Sequence, residues 1–260
     1  MGEAQALRAG VAAALDAVLA VVFAPVCAAC DRPLENPTRG PVCEQCWRSI
    51  LPLTPPLCDA CGDPLATRTA DTPPHPVGPE GPHYDRCTRC RRQKRLIVLT
   101  RAIGSYDGAL RAIVHAFKYD GRRSLARRLG ELMKGRGAMV LAGAEIIVPV
   151  PLHPSRRRER GFDQAADLAR HVGLPIVRAL ARIRPTAVQA SLPAGGRHAN
   201  VRDAFALTAA AARLRGRVVD LVDDVSTTGA TLEACARAVS GASPREIRAL
   251  TAARVVSIRR

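Results

Sequence analysis

Eight of the nine cysteines fall into four Cys-x-x-Cys pairs: Cys27/Cys30, Cys43/Cys46, Cys58/Cys61 and Cys87/Cys90. Two residues between cysteines is the knuckle spacing that lets two thiolates reach one metal ion. Two knuckles give four sulfurs, a closed tetrahedral set with no open position for chemistry. The eight thiolates therefore predict two structural zinc sites. Disulfides in a secreted chain and iron–sulfur clusters also use cysteines in number, but the paired knuckles favour zinc. Sequential pairing, first knuckle with second and third with fourth, is the simpler arrangement; interleaved pairing satisfies the same count. The segment has too few large apolar residues for a core of its own, so metal binding would supply its folding energy. Between Cys61 and Cys87 runs ATRTADTPPHPVGPEGPHYDR, whose Pro, Gly and Thr content reads as an insertion at the tip of the second ribbon. His75 and His83 lie in it and read as solvated, since four sulfurs already close the site. Cys235 is left over and reads as a small buried apolar residue.

Ahead of the cysteines, Val11 to Val26 is apolar enough to suggest a signal peptide. Asp16 interrupts it, however, and Glu3 with the single basic Arg8 makes a poor positive start. Leu7, Val11, Leu15, Val18, Leu19 and Val22 recur at helical spacing, which predicts an amphipathic helix over 1–26 packing on the rest of the fold. The stretch is short for a membrane span, and Pro25 and Val26 before Cys27 disfavour a lipid anchor. A cytoplasmic protein without stable membrane insertion is the expectation.

Charge divides the chain. Up to Arg95 there are 11 Lys/Arg against 10 Asp/Glu; beyond it there are 28 against 13. The +16 excess thus sits almost wholly in the C-terminal part, where it favours phosphate-rich partners. Aromatics are only 3%, so a base-stacking platform would have few members.

After RRQKR at 91–95 the pattern changes. LTRAIGSY reads as a strand and Asp107 to Phe117 as a helix facing inward with Leu110, Ile113, Val114 and Phe117. Arg122 to Leu141 reads as a longer helix, and Ala144 to Leu152 as a buried strand. Gly161 to Val172 returns to helix with Phe162, Ala165, Leu168 and Ala169 inward. RVVDLVDDVSTTGATLEACARAVSG reads as strand, turn, helix, and IRALTAARVV as a last strand. Strands alternating with helices predict an α/β domain over 96–260. Its parallel sheet would be covered on both faces, with ligands beyond the strands' C-terminal ends. The cysteine module occupies 27–95.

Within that domain LVDDVSTTGATL, Leu221 to Leu232, is the most informative run. An apolar strand ends in two acids, followed by small hydroxyl residues, Gly229 and a helix. Asp223 and Asp224 sit where carboxylates accept hydrogen bonds from vicinal ribose hydroxyls. Ser226, Thr227, Thr228 and Thr231, with the loop N–H groups, can wrap a phosphate at the helix N-terminus. Gly229 lets backbone approach that phosphate closely. Helix capping explains one hydroxyl residue there, not four with paired acids.

This run resembles the phosphoribosyl-diphosphate signature of type I phosphoribosyltransferases. Further stretches narrow the resemblance to the ComF/GntX family, amidophosphoribosyltransferase-like proteins linked to DNA uptake in competence. They are FAPVCAACDRPL, FKYDGRRSLARRLG, VPVPLHPSRRRERGFDQAADLA and the spaced Gln189, Leu192, Arg197, Asn200, Ala204 and Phe205. Two positions depart: Asp163 stands where the family has Asn, and Asp220 intrudes in an apolar strand, where it reads as marking a strand edge.

The resemblance implies a double zinc ribbon followed by a parallel-sheet type I phosphoribosyltransferase-like domain. Asp223 and Asp224 would hold the ribose hydroxyls, and Val225, Ser226, Thr227, Thr228, Gly229, Ala230 and Thr231 the 5′-phosphate. Val148 to Pro151, with Val150 and Pro151 at its end, would form part of the diphosphate site. Arg156, Arg157, Arg158 and Arg160 would form a mobile basic loop. Lys118 is a further candidate phosphate contact. A departing diphosphate calls for arginines and a divalent ion, and Mg2+ fits, held mostly by the substrate's oxygens and water. No nucleophile or general base stands out; His153 reads as structural. Two functions follow: transfer of phosphoribose to an unknown acceptor in DNA uptake, or non-catalytic binding of single-stranded DNA with sensing of phosphoribosyl diphosphate.

Overall fold

A computed structural model describes residues 2–65, 86–93, 95–184 and 203–256, with backbone alone for 2–9 and 12. The insertion with His75 and His83, and Gln189, Leu192, Arg197 and Asn200, lie outside the described residues. Apolar runs bounded by polar turns give four parallel strands: β1 (Ile97–Ser105), β2 (Ile146–Pro149), β5 (Val218–Ser226) and β6 (Glu246–Arg254). Their order is β1-β6-β5-β2, so β5 and β6 are central and buried on both faces, as their near-continuous apolar runs require.

Helices α4 (Gly108–Tyr119), α5 (Leu125–Arg136) and α8 (Gln164–Ala169) cover one face of the sheet. Leu110, Ile113, Phe117, Leu129 and Leu168 pack there against Ile103, Val222 and Leu250. On the other face, α9 (Ala230–Ser240) packs Leu232, Cys235 and Val239 against Val219, Leu221 and Ala249. Cys235 is fully buried there. Asp107 starts α4 by accepting a hydrogen bond from Gly108 N at 2.7 Å. An antiparallel pair, β3 (Leu180–Arg182) with β4 (Phe205–Leu207), was not anticipated by the sequence reading.

The cysteine segment forms two knuckle pairs with matching backbone. Cys27 N donates to Arg32 O and Cys58 N to Asp63 O, both at 2.8 Å, and single antiparallel bridges join Val26 to Pro33 and Leu57 to Pro64. Short helices α2 (Glu44–Arg48) and α3 (Thr88–Arg92) carry the second knuckle of each pair. Neither pair stands apart. Cys27, Leu34, Val42, Cys46, Trp47 and Ile50 join the same core as Leu110, Ile113 and Phe117. At Gly104 on β1 any Cβ would lie 2.4 Å from Leu51 O, so the first pair approaches the sheet as closely as backbone allows. The second pair docks on β1, with Thr100 N donating to Asp59 O at 2.6 Å and Arg101 pairing with Asp59 at 2.6 Å.

Four expectations need correction. The helix read over Arg122 to Leu141 is two, because Gly137 (φ −92, ψ 9) closes α5 and α6 (Ala138–Leu141) restarts beyond it. The basic segment at 156–160 is no loop but helix α7 (Pro154–Arg160), started by Pro154 and by the His153 ring accepting from Ser155 N at 3.3 Å. Asp220 marks no edge: it is fully buried in β5, between Ile147 of β2 and Arg248 of β6. The N-terminal helix α1 (Gly2–Phe23) forms, yet Val11, Leu15, Val18 and Val22 are exposed rather than packed inward. What ties α1 down is Asp16, buried where its carboxylate accepts from Thr38 N at 2.8 Å. Among the described residues no helix is long and apolar enough to cross a membrane.

Candidate functional site

The knuckles bring their sulfurs together sequentially, Cys27, Cys30, Cys43 and Cys46 in one cluster and Cys58, Cys61, Cys87 and Cys90 in the other. Within each, the ligand atoms all lie within 4.8 Å of one another. A tetrahedron with metal–sulfur bonds of about 2.3 Å has sulfur–sulfur edges of about 3.8 Å. The observed edges are 3.9 Å for Cys27–Cys46, 3.9 Å for Cys30–Cys43 and 3.8 Å for Cys61–Cys87. Backbone amides support the sulfurs, Cys43 N to Cys27 Sγ and Cys87 N to Cys58 Sγ, both at 3.3 Å. The amide and side chain of Arg32 hold the Cys30 thiol down to about 6, inside the range where it is largely thiolate at neutral pH. Both clusters fit zinc in structural, fully coordinated form.

The second cluster of chemistry lies at the C-terminal end of the sheet. β5 runs on through Asp223 and Asp224 to Ser226, and the chain then turns through Thr227, Thr228 and Gly229 into α9. Gly229 has φ +77, and a Cβ there would meet nothing nearer than Ser226 Oγ at 4.0 Å, so the loop backbone is open to a ligand. Thr228 Oγ1 accepts from Ala230 N at 3.3 Å and caps α9. Glu233 N closes the first turn on Gly229 O at 2.9 Å, and the positive end of the 11-residue helix's dipole faces this loop. Val150 N donates to Val222 O at 2.9 Å, which carries β2's end alongside β5 and brings Val150 and Pro151 beside the acids.

Charge at this end is concentrated. Lys118, in the last turn of α4, pairs with Asp224 at 2.8 Å, both side chains mostly buried. Burial alone would lower the Lys118 pKa, but Asp224 and Asp223 together raise it, so the ammonium is retained. Asp223 Oδ1 accepts from Asp224 N at 2.8 Å. Burial, and then the neighbouring Asp224 charge, push the Asp223 carboxyl well above the ordinary range. Lys118 is therefore placed as the partner of an acid rather than as a bare phosphate contact.

The arginines of α7 divide. Arg160 lies 4.8 Å above the Tyr119 ring centroid and bonds Gln164 at 3.2 Å, whereas Arg157 and Arg158 are exposed. Asp163, in place of the resemblance's Asn, caps α8 by accepting from Ala166 N at 3.1 Å. His153 is engaged at the start of α7, its Nδ1 also bonded to Ser155 Oγ at 2.7 Å. Two arginines went unread in the sequence. Arg182 on β3 stacks over Phe205 at 5.4 Å and feels the Asp223 charge. Arg254, the last residue of β6, is 1% exposed and donates to Ser226 Oγ at 3.0 Å. Neither carries a local pattern; only the sheet's register brings them to the site.

Comparison with known proteins adds four findings. A double zinc ribbon domain family matches residues 18–91. Competence protein F of Haemophilus influenzae is 33% identical over 140 residues, covering 50% of this chain and 61% of that protein, under two thirds of its length. DNA utilization protein YhgH of Salmonella typhimurium is 30% identical over 217 residues, covering 80% of this chain and 87% of that protein. Among solved structures, a glutamine phosphoribosylpyrophosphate amidotransferase from B. subtilis aligns at a TM-score of 0.33 and 18% identity, over 52% of this chain and 30% of that one.

Proposed function

This chain belongs to the ComF family, that of competence protein F and DNA utilization protein YhgH, and on that premise we propose that it serves competence or DNA utilization by binding phosphoribosyl diphosphate. The observation that carries the reading is the end of β5, where paired acids, a hydroxyl loop and an open Gly229 precede a helix N-terminus. Asp223 and Asp224 accept from the ribose hydroxyls, with Lys118 holding Asp224 in place. The amides and hydroxyls of Val225 to Thr231 take the 5′-phosphate. The diphosphate lies toward Val150 and Pro151, where Arg156, Arg157, Arg158 and Arg160 of α7 offset its charge as it leaves. The remaining charge neutralisation would come from Mg2+, which the donor's oxygens and water would mostly hold. The acceptor's own nucleophile then forms the new bond to ribose C1 as the bond to diphosphate breaks, its proton leaving with the diphosphate or to water. Among the described residues no side chain stands out as the base, and cleavage draws on electrostatic help.

The test is calorimetric titration of phosphoribosyl diphosphate with Mg2+ into zinc-loaded wild type and Asp223→Asn/Asp224→Asn. We expect binding in wild type and at least a tenfold loss in the variant, with fold and zinc content unchanged. Undiminished affinity in the variant would sink the site assignment.

A second reading, single-stranded DNA binding without catalysis, draws on the exposed Tyr119 with Arg160 4.8 Å from its ring centroid, a small stacking platform in a basic domain. Release of diphosphate from donor in cell extract separates the two: release supports transfer, and donor binding without release supports sensing.

A further inference from the structure

The two knuckle pairs share a backbone but not a charge pattern. The position two residues after the second cysteine is Arg32 in the first pair and Asp63 in the second. Arg32 is exposed and turns back on its own cluster at Cys30. Asp63 inverts the sign beside a cluster that, with zinc bound to four thiolates, already carries a net −2. Its compensation comes from two arginines. Arg89, from the same ribbon, reaches Asp63 Oδ2 at 3.0 Å. The other is Arg254, whose Nε donates to Asp63 Oδ1 at 2.5 Å. Arg254 belongs to β6, and its other arm donates to Ser226 Oγ in the proposed phosphate loop at 3.0 Å.

Arg254 is thus a rigid connector. It sits in register opposite Ser226 and Ser105, and Val255 N donates to Ser226 O at 2.9 Å. Its guanidinium is planar and cannot swing independently at its two ends. Because Ser226 Oγ accepts from Arg254, the hydroxyl's own proton is left to be donated elsewhere. Arg254 Nη2 is buried without a partner among the described residues, an unused donor beside the loop. Removing metal from the second cluster would release the 58–61 turn that fixes Asp63, and with it the anchor of Arg254.

We propose that Arg254 is a positioning residue that makes the second zinc cluster part of the phosphate site, so that zinc there and donor on the loop stabilise each other. The proposal rests on the donor reading given above. Coupling of this kind is reciprocal: the factor by which zinc raises donor affinity is the factor by which donor raises zinc affinity.

The experiment uses the full zinc-loaded chain. Donor affinity is measured by calorimetry, and zinc affinity by competition with a chelator, with and without saturating phosphoribosyl diphosphate and Mg2+. In wild type, donor should tighten one of the two zinc ions by roughly 5–100-fold and the other by a smaller factor. Arg254→Met should keep both zinc ions, weaken donor binding by a like factor and abolish the protection. Since a buried arginine is a demanding site, Asp63→Asn provides a second route: it keeps an oxygen for Arg254 but removes the charge, and it should weaken donor binding although it lies outside the pocket. Wild type that binds donor while donor protects neither zinc ion, with Asp63→Asn binding normally, overturns the coupling and leaves the donor reading intact. Wild type that binds no donor defeats that reading and this inference with it.

Discussion

Asp220 has both carboxylate oxygens buried without a hydrogen-bond partner among the described residues, in the middle of the sheet. Burial pushes its pKa up to about 7, against the pull of Arg248, with Glu246 adding to the rise. The folded chain therefore holds this proton more tightly than the unfolded chain, whose Asp titrates near 3.8. The stabilising contribution is complete below that value and is lost as pH rises through about 7. Asp220→Asn should accordingly stabilise at pH 8 by about 1–3 kcal/mol, the relief of an unpaired buried group, and by progressively less as pH falls toward 4. Thermal unfolding of both proteins at pH 8 and pH 4 checks this; a pH-independent difference would show that the carboxyl titrates alike in the folded and unfolded chain. The sequence marked Asp220 as unusual but gave it an edge, because an acid in an apolar run is most simply placed where water reaches it. Asp223, Asp224 and the hydroxyl loop were legible because chain neighbours carry the whole pattern. Arg254 and Arg182 were not, since strand register, invisible in a single sequence, is what brings them there.

At the scale of elements, periodicity located β1, α4, β5, α9 and β6, whose apolar runs are long and whose ends carry turn residues. It overran at Gly137 and missed β3 and β4, three residues each, too short to show alternation. Helix α7 is the instructive case. The resemblance implied a mobile loop there, yet Pro154 at its start and the His153 cap are ordinary helix-starting signals. A helix presents Arg157 and Arg158 to solvent on a fixed axis, so their effect on a diphosphate should be long-range and screened. Arg157→Gln/Arg158→Gln should weaken donor binding several-fold at low salt and flatten its salt dependence. Titrations at two ionic strengths test this, and an unchanged salt slope would remove these two residues from the diphosphate site. On α1 the apolar stripe was read correctly as helix and wrongly as a packing face, because Asp16, taken as an interruption, is the anchoring group.

Across the whole molecule, the first knuckle pair is an integral part of the core on one face of the sheet, while the second keeps a small cluster of its own and docks on β1. The cysteine segment was expected to fold on its metal alone, and the knuckle geometry agrees with metal binding, but the sulfurs are only half of its attachment. Trp47 is buried with Arg128 4.8 Å above its ring, and Arg128 also bonds Glu44 at 2.7 Å. Arg136 donates to Ile50 O at 2.9 Å and to Ile103 O at 2.8 Å, joining ribbon and β1 through one side chain. Opening the first cluster must therefore uncover Leu110, Ile113 and Phe117 on α4, each such side chain representing about 1.5–3 kcal/mol of burial. Helix α4 also carries Lys118, so the disturbance reaches Asp224. Cys43→Ser/Cys46→Ser should release one zinc ion, lower the Tm of the entire chain in a single transition and weaken donor binding. Trp47 is the chain's single tryptophan, so its emission reports this docking directly and should shift to the red. Calorimetry and fluorescence on the same sample decide between an integrated core and a separable module. One joint transition with red-shifted emission is the expected result, whereas two transitions, the larger at the wild-type temperature, would mean that the α/β domain stands without its ribbon.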